Sequence, residues 1–291
     1  MLEWAKKNRF LGFLIDLVQR YDQDGVARSA AGVAYHLFFT LFPMLLLGNS
    51  LLSMFNLDLH EIVDRWDMVI PNDFVSMAND YLDYVGSLNH DGMALSGFLL
   101  TLFGLSGSLN CLLHAVSRAY RVEQVKRPIY VIAVIFSFFM LASFYLLLIL
   151  AVVGKQLLVL MELWIPWLPQ QLSLVMELFR FLILPVYLLV MLTLFYHMLQ
   201  GRRRQKIGRS IPGAILAVAG IILATLGFSI YVSNFSRYTL LYGSIGTVMV
   251  LLLWLYMIAL LLIMGGEVNH LLMQRRRDRS WAEWGSNPER E

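Results

Sequence analysis

The groups in this chain that can do chemistry are few, and most are set within apolar runs. Glu267 is the carboxylate embedded in the last run, Tyr242–Met273, eight residues before Arg275, Arg276 and Arg277. At 1.5 Å per helical residue it lies about 12 Å inside the arginine-bearing end. A charged acid at that depth is costly against hydrocarbon, so it must face protein or a water-filled cavity. There it can bind a proton, relay one or gate a path. Glu177 and Arg180 form a second embedded pair, spaced i,i+3 so that they share a helix face. Arg180 lies 20 residues before Gln200, about 30 Å from the membrane surface near which Glu267 sits. A direct bridge between Arg180 and Glu267 is therefore not expected. Arg180 either extends outward to lipid headgroups or lines a cavity open to the outside.

A third group gathers near the same outer mouth: Asn234, Arg237 and Tyr242, in a short aromatic link between two apolar runs. It can fix the turn, or it can recognise a headgroup or solute. With Tyr35 and Asn269, these residues make up the candidate substrate or proton pathway: Glu267, Arg180, Glu177, Arg237, Asn234, Tyr35, Tyr242 and Asn269. Catalytic and metal-binding patterns are missing. His36, His60, His90, His114, His197 and His270 show no HxxxH or HxH spacing, Cys111 is the single cysteine, and there is no Gly-rich phosphate loop or Ser/Cys triad signature. No metal, cofactor or enzymatic activity is expected.

The elements that position these groups are helices of membrane-spanning length. Six apolar runs are long enough to cross a bilayer: Ala30–Met54, Gly92–Leu113, Ile129–Val153, Leu172–Leu199, Ile211–Val232 and Tyr242–Met273. The 291 residues are 58% hydrophobic and only 15% charged, with mean hydropathy +0.65, far from the quarter charged of a soluble domain. The expected fold is all-α: a polytopic membrane protein of six transmembrane helices. An amphipathic N-terminal segment (1–28), a helical outer loop (56–91) and a basic, disordered tail (274–291) accompany the 29–273 membrane domain. The first segment has no cleavable apolar core. Nineteen of the 23 Lys and Arg residues fall on the side of the two termini, so the termini are expected in the cytoplasm. These basic clusters report topology; nucleic acid is not an expected partner.

Small residues and prolines shape the helices. Gly213, Ala217, Gly220, Ala224 and Gly227 draw a continuous small stripe along the fifth run, suited to close packing against another helix or a second copy of the chain. Gly243, Gly265 and Gly266 bracket the sixth run, while Pro43 and Pro185 interrupt the first and fourth, where a proline removes a backbone hydrogen bond and favours a kink. The N-terminal segment mixes apolar residues with basic ones and suits a helix on the inner leaflet, its cations near anionic lipid. A helix packed under the bundle fits equally.

These motifs together resemble the YihY/BrkB family of membrane proteins, historically labelled the ribonuclease BN family, over nearly the whole chain. The matching residues are Ala30-Ala-Gly-Val-Ala-Tyr35 through Leu41-Phe-Pro43, Pro212-Gly213-Ala214 and Tyr231-Val-Ser-Asn-Phe-Ser236. They continue with Tyr242-Gly-Ser, Leu253-Trp-Leu-Tyr256 and Gly265-Gly-Glu-Val-Asn269. The family's usual Gly-Ala-Glu is Gly-Gly-Glu here, and Arg180 matches its arginine early in the fourth span. The resemblance implies a bacterial inner-membrane protein, associated in some members with virulence or envelope properties. The functional expectation is a transporter or flippase-like protein for a lipid or amphiphilic solute, with an anionic lipid or small amphiphile as ligand and a homo-oligomer as a compatible assembly. A non-transporting envelope scaffold is the alternative.

Overall fold

A computed structural model describes residues 9–53, 72–86, 93–120, 129–164, 169–199, 206–234 and 244–285, all but a few of them helical. In chain order the helices are α1 (Arg9–Gln23), α2 (Val26–Ser53), α3 (Asn72–Gly86), α4 (Met93–Ala119), α5 (Ile129–Trp164), α6 (Pro169–Leu199), α7 (Ile211–Asn234) and α8 (Ser244–Gly285). A 3-10 turn, Ile207–Arg209, leads into α7. Six of them, α2 and α4 to α8, are long and apolar enough to cross a membrane, the architecture expected from the six runs. The last helix continues through residue 285, into the tail expected to be disordered. Part of the loop expected at 56–91 is helical as anticipated, in α3; residues 56–71 and 87–91 lie outside the described residues.

Helix α2 lies along α4, α7 lies along α8, and α8 closes against α2. The α4 seam is built from small residues. A Cβ on Gly104 would come within 2.4 Å of Thr40 Oγ1, and one on Gly107 within 2.7 Å of the His36 ring. Such spacing lets backbones approach until van der Waals contact and buried hydrogen bonds hold the pair, the main attractions available between helices in lipid. Thr101, Ser106 and Ser108 are buried in this seam, their hydroxyls spent on the carbonyls of Gly97, Phe103 and Val33. The chain runs helical through Pro43 and Pro185. Tyr145 donates to the carbonyl of Met44, next to the first proline.

Helix α1 is amphipathic in an unusual sense. Phe13, Asp16, Arg20 and, one turn on, Asp24 recur at helical spacing and face α8. The opposite stripe, Leu11, Leu14, Val18 and Tyr21, is exposed. A helix on a soluble protein would do the reverse; here the polar face meets the bundle and the apolar face is left exposed. Gly25 ends α1 with φ +61°, a left-handed conformation in which an L side chain is strained. The turn lets α2 begin at Val26 and run back into the bundle.

Candidate functional site

The site forms where α1, α7 and the C-terminal half of α8 converge. Leu262, Gly265, Gly266, Glu267, Asn269 and His270 lie within little more than two turns of α8, and the last five are buried. Glycine makes that possible. A Cβ on Gly213 would stand 2.1 Å from the Gly265 carbonyl oxygen, and one on Gly265 would stand 2.7 Å from that of Gly213. A Cβ on Gly266 would meet Val116 of α4 at 2.8 Å. The α7 and α8 backbones therefore cross in near contact, and α4 presses on the other side.

That crossing brings Asn269 to the start of α7. Its Oδ1 accepts from the Gly213 N–H at 2.7 Å, and its Nδ2 donates to the Ser210 carbonyl at 2.9 Å. An N-terminal helical N–H otherwise lacks a partner; a side chain of another helix supplies one here. Tyr196 of α6, fully buried, donates its hydroxyl to the Leu262 carbonyl. Tyr120 packs edge-on against His270, ring centres 5.6 Å apart.

Glu267 has no solvent exposure, and it meets Arg20 of α1. Arg20 Nη1 donates to Glu267 Oε2 at 3.3 Å, and Nη2 donates to Gln274 Oε1 at 2.6 Å. The guanidinium, itself 7% exposed, so joins two turns of α8. Glu267 Oε1 is buried without a hydrogen-bond donor. The Asp24 carboxyl acts on Glu267 electrostatically and lies within hydrogen-bonding reach of it. Towards the end of α8, Arg275 donates to Asp16 at 2.9 Å and stands over the Phe13 ring at 5.3 Å. This outer pair is partly exposed and correspondingly weak.

Of the residues selected from sequence, the structure brings Glu267, Asn269, Gly213, Gly265 and Gly266 to one place. Gly220 packs farther along α7 against Leu261. Tyr35 does not join them: it is 58% exposed, edge-on to His36 and tilted against Phe39. The helix kink residues Pro43 and Pro185 lie within α2 and α6, away from this crossing in sequence and element. Glu177 and Arg180 belong to α6, and Asn234 closes α7; their side chains, with Arg237, Tyr242 and Gly243, lie outside the described residues. Arg20 is an addition to that set. Not singled out among the basic residues of the N-terminal segment, it is the buried counter-ion of the embedded acid, and α1 packs against the bundle, one of the two placements left open. Its signal was present in the spacing Asp16, Arg20, Asp24, which puts three charges on one face of α1. Among the described residues no group of three His, Cys, Asp or Glu side chains could hold a metal ion.

The family model described as virulence factor BrkB matches residues 17–288. The chain is 27% identical over 269 residues to the putative ribonuclease-like protein YfkH of Bacillus subtilis, covering 92% of this chain and 97% of that one. It is also 25% identical over 279 residues to a UPF0761 membrane protein of Photobacterium profundum, covering 92% and 82%, and 23% identical over 256 residues to one from Alteromonas mediterranea, covering 86% and 84%. No solved structure matches. With the matched span running from α1 through the end of α8, the chain is a multi-pass membrane protein of the BrkB family.

Proposed function

We propose that this protein moves a lipid or amphiphilic solute across the bacterial inner membrane, with Glu267 as the acid that gates or relays protons near the cytoplasmic face. Both termini lie in the cytoplasm in this reading, as the distribution of basic residues favours. One observation carries it: a carboxyl group wholly buried at membrane depth is held by a guanidinium from a helix outside the six spans. A buried ion pair is weak evidence for stability, because desolvation of two charges offsets much of their attraction. Ionisable residues inside spans more often serve ion or proton pathways. The close α7–α8 crossing and the prolines in α2 and α6 supply rigid elements that can move against one another.

The test is reconstitution. Headgroup-labelled lipids and candidate amphiphiles should cross proteoliposomes carrying the wild type faster than protein-free vesicles, and Glu267→Gln should return the rate to the protein-free level. Equal rates in all three would sink the reading.

The envelope scaffold is the second reading, and the direct Arg20–Glu267 tie favours it, since a satisfied ion pair can be purely structural. Deleting residues 56–91 separates the two: loss of a co-purifying envelope partner with flux intact supports the scaffold. We propose that the protein is not an enzyme, in keeping with the lack of a catalytic motif in its sequence. RNA degraded by purified protein and spared by Glu267→Gln would reverse this.

A further inference from the structure

Among the described residues, the charges around Glu267 do not balance. Arg20 contributes one positive charge, and Asp24 and Glu267 each contribute a negative one when ionised. Asp24 is placed there by the helix itself: its N–H donates to the Arg20 carbonyl at 2.9 Å, one turn on, so both side chains lie on the face that meets α8. Two other cations near this end are engaged elsewhere, Arg275 with Asp16 and Arg118 with Ser29. The other titratable groups at this crossing are His270 and Tyr120, in contact with each other, and Tyr196, whose hydroxyl goes to the Leu262 carbonyl. Glu267 Oε2 takes the guanidinium, but Oε1 is buried with no donor. The second side chain within reach of Glu267 is Asp24, and an ionised carboxyl has no hydrogen to give.

We propose that Asp24 and Glu267 form a carboxyl–carboxylate pair that holds one proton between them, with Arg20 balancing the single charge that remains. The ligand of this site is a proton. Bound there, it turns a contact between two acceptors into a short charge-assisted hydrogen bond and removes the repulsion between two acids sharing one low-dielectric site. It belongs to the pair rather than to either residue. Because Asp24 lies on the turn joining α1 to α2 and Glu267 lies within α8, the proton also links the peripheral helix to the bundle. Loss of the proton leaves two negative charges against one guanidinium and weakens α1 docking.

This deepens the transport reading by giving Glu267 its proton, and it is tested without substrate. Infrared spectra of the full chain in lipid at pH 7 are compared for wild type, Glu267→Gln and Asp24→Asn. The expected result is a protonated-carboxyl C=O band in wild type that disappears in Glu267→Gln. It should also disappear in Asp24→Asn, where Arg20 and Glu267 balance one another as ions. Identical bands in wild type and Glu267→Gln would overturn the proposal, and so would a band that survives in Asp24→Asn. Should Glu267→Gln fail to fold, the comparison of wild type with Asp24→Asn decides alone, since Asp24 is at the accessible edge of the contact. An intact band without flux would leave the proton site standing and sink only transport; flux without the band would do the opposite.

Discussion

Arg20 and Glu267 stabilise the protein only as a pair, and the physics of burial makes their substitutions asymmetric. Removing Arg20 strands the Glu267 carboxylate with no exposed surface; Arg20→Met should therefore cost about 3–5 kcal/mol, the penalty typical of a broken buried pair. Replacing both, as Arg20→Met with Glu267→Leu, removes the desolvation penalty together with the attraction, and should recover most of that loss. Thermal unfolding in detergent of the two single variants and the double variant measures the coupling directly. A double variant no more stable than Arg20→Met would mean that the two side chains do not share one interaction. Asn269 poses a similar question with neutral groups. Asn269→Leu takes its side-chain acceptor from the Gly213 N–H, so it should cost about 1–3 kcal/mol, while the Ser210 carbonyl keeps the Ala214 N–H at 3.3 Å.

At the scale of helices, α7 and α8 are held by what their glycines omit. The Gly213 position has no room for a methyl group beside the Gly265 carbonyl, whereas a Cβ on Gly227 meets nothing within 4 Å. Gly213→Ala should therefore destabilise by about 1–3 kcal/mol through overpacking. Gly227→Ala, in the same stripe, should be neutral or stabilising by about 0.5–1 kcal/mol, as expected for alanine replacing glycine within a helix. Melting temperatures of the two variants check the contrast. The stripe is thus not uniform: its N-terminal end packs against α8, and near its C-terminal end Ala224, Gly227 and Phe228 line an apolar groove of about 360 Å³ with Tyr231, Leu253 and Met257. Spacing along one helix could not separate these ends, because which part of a neighbouring helix comes close depends on where the two axes cross.

For the molecule as a whole, six spans place the two ends of the membrane domain on one side. Reporter fusions supply the check: a cytoplasm-specific fluorescent domain should light at either terminus, and a periplasm-specific reporter should be active when inserted after α3. An active periplasmic reporter at the C-terminus would reverse the orientation. The same topology brings α1 back to α8, across 247 residues of chain. Of the candidate groups, those on α8 and at the start of α7 converge, whereas Tyr35 faces away.

Hydrophobic length sufficed to read the spans from sequence, because the bilayer requires each helix to satisfy its own backbone and to be apolar for its full width. Those requirements are local, and so were legible one run at a time. The same cost of burial singled out Glu267 without any knowledge of its neighbours. The identity of its partner was not local. Arg20 carries the signature of a surface cation within an amphipathic stretch, and only the folding of α1 against α8 turns it inward. Asp24 and the Gly213–Gly265 contact share that character: each is decided by a distance between segments far apart in the chain, which tertiary packing alone sets.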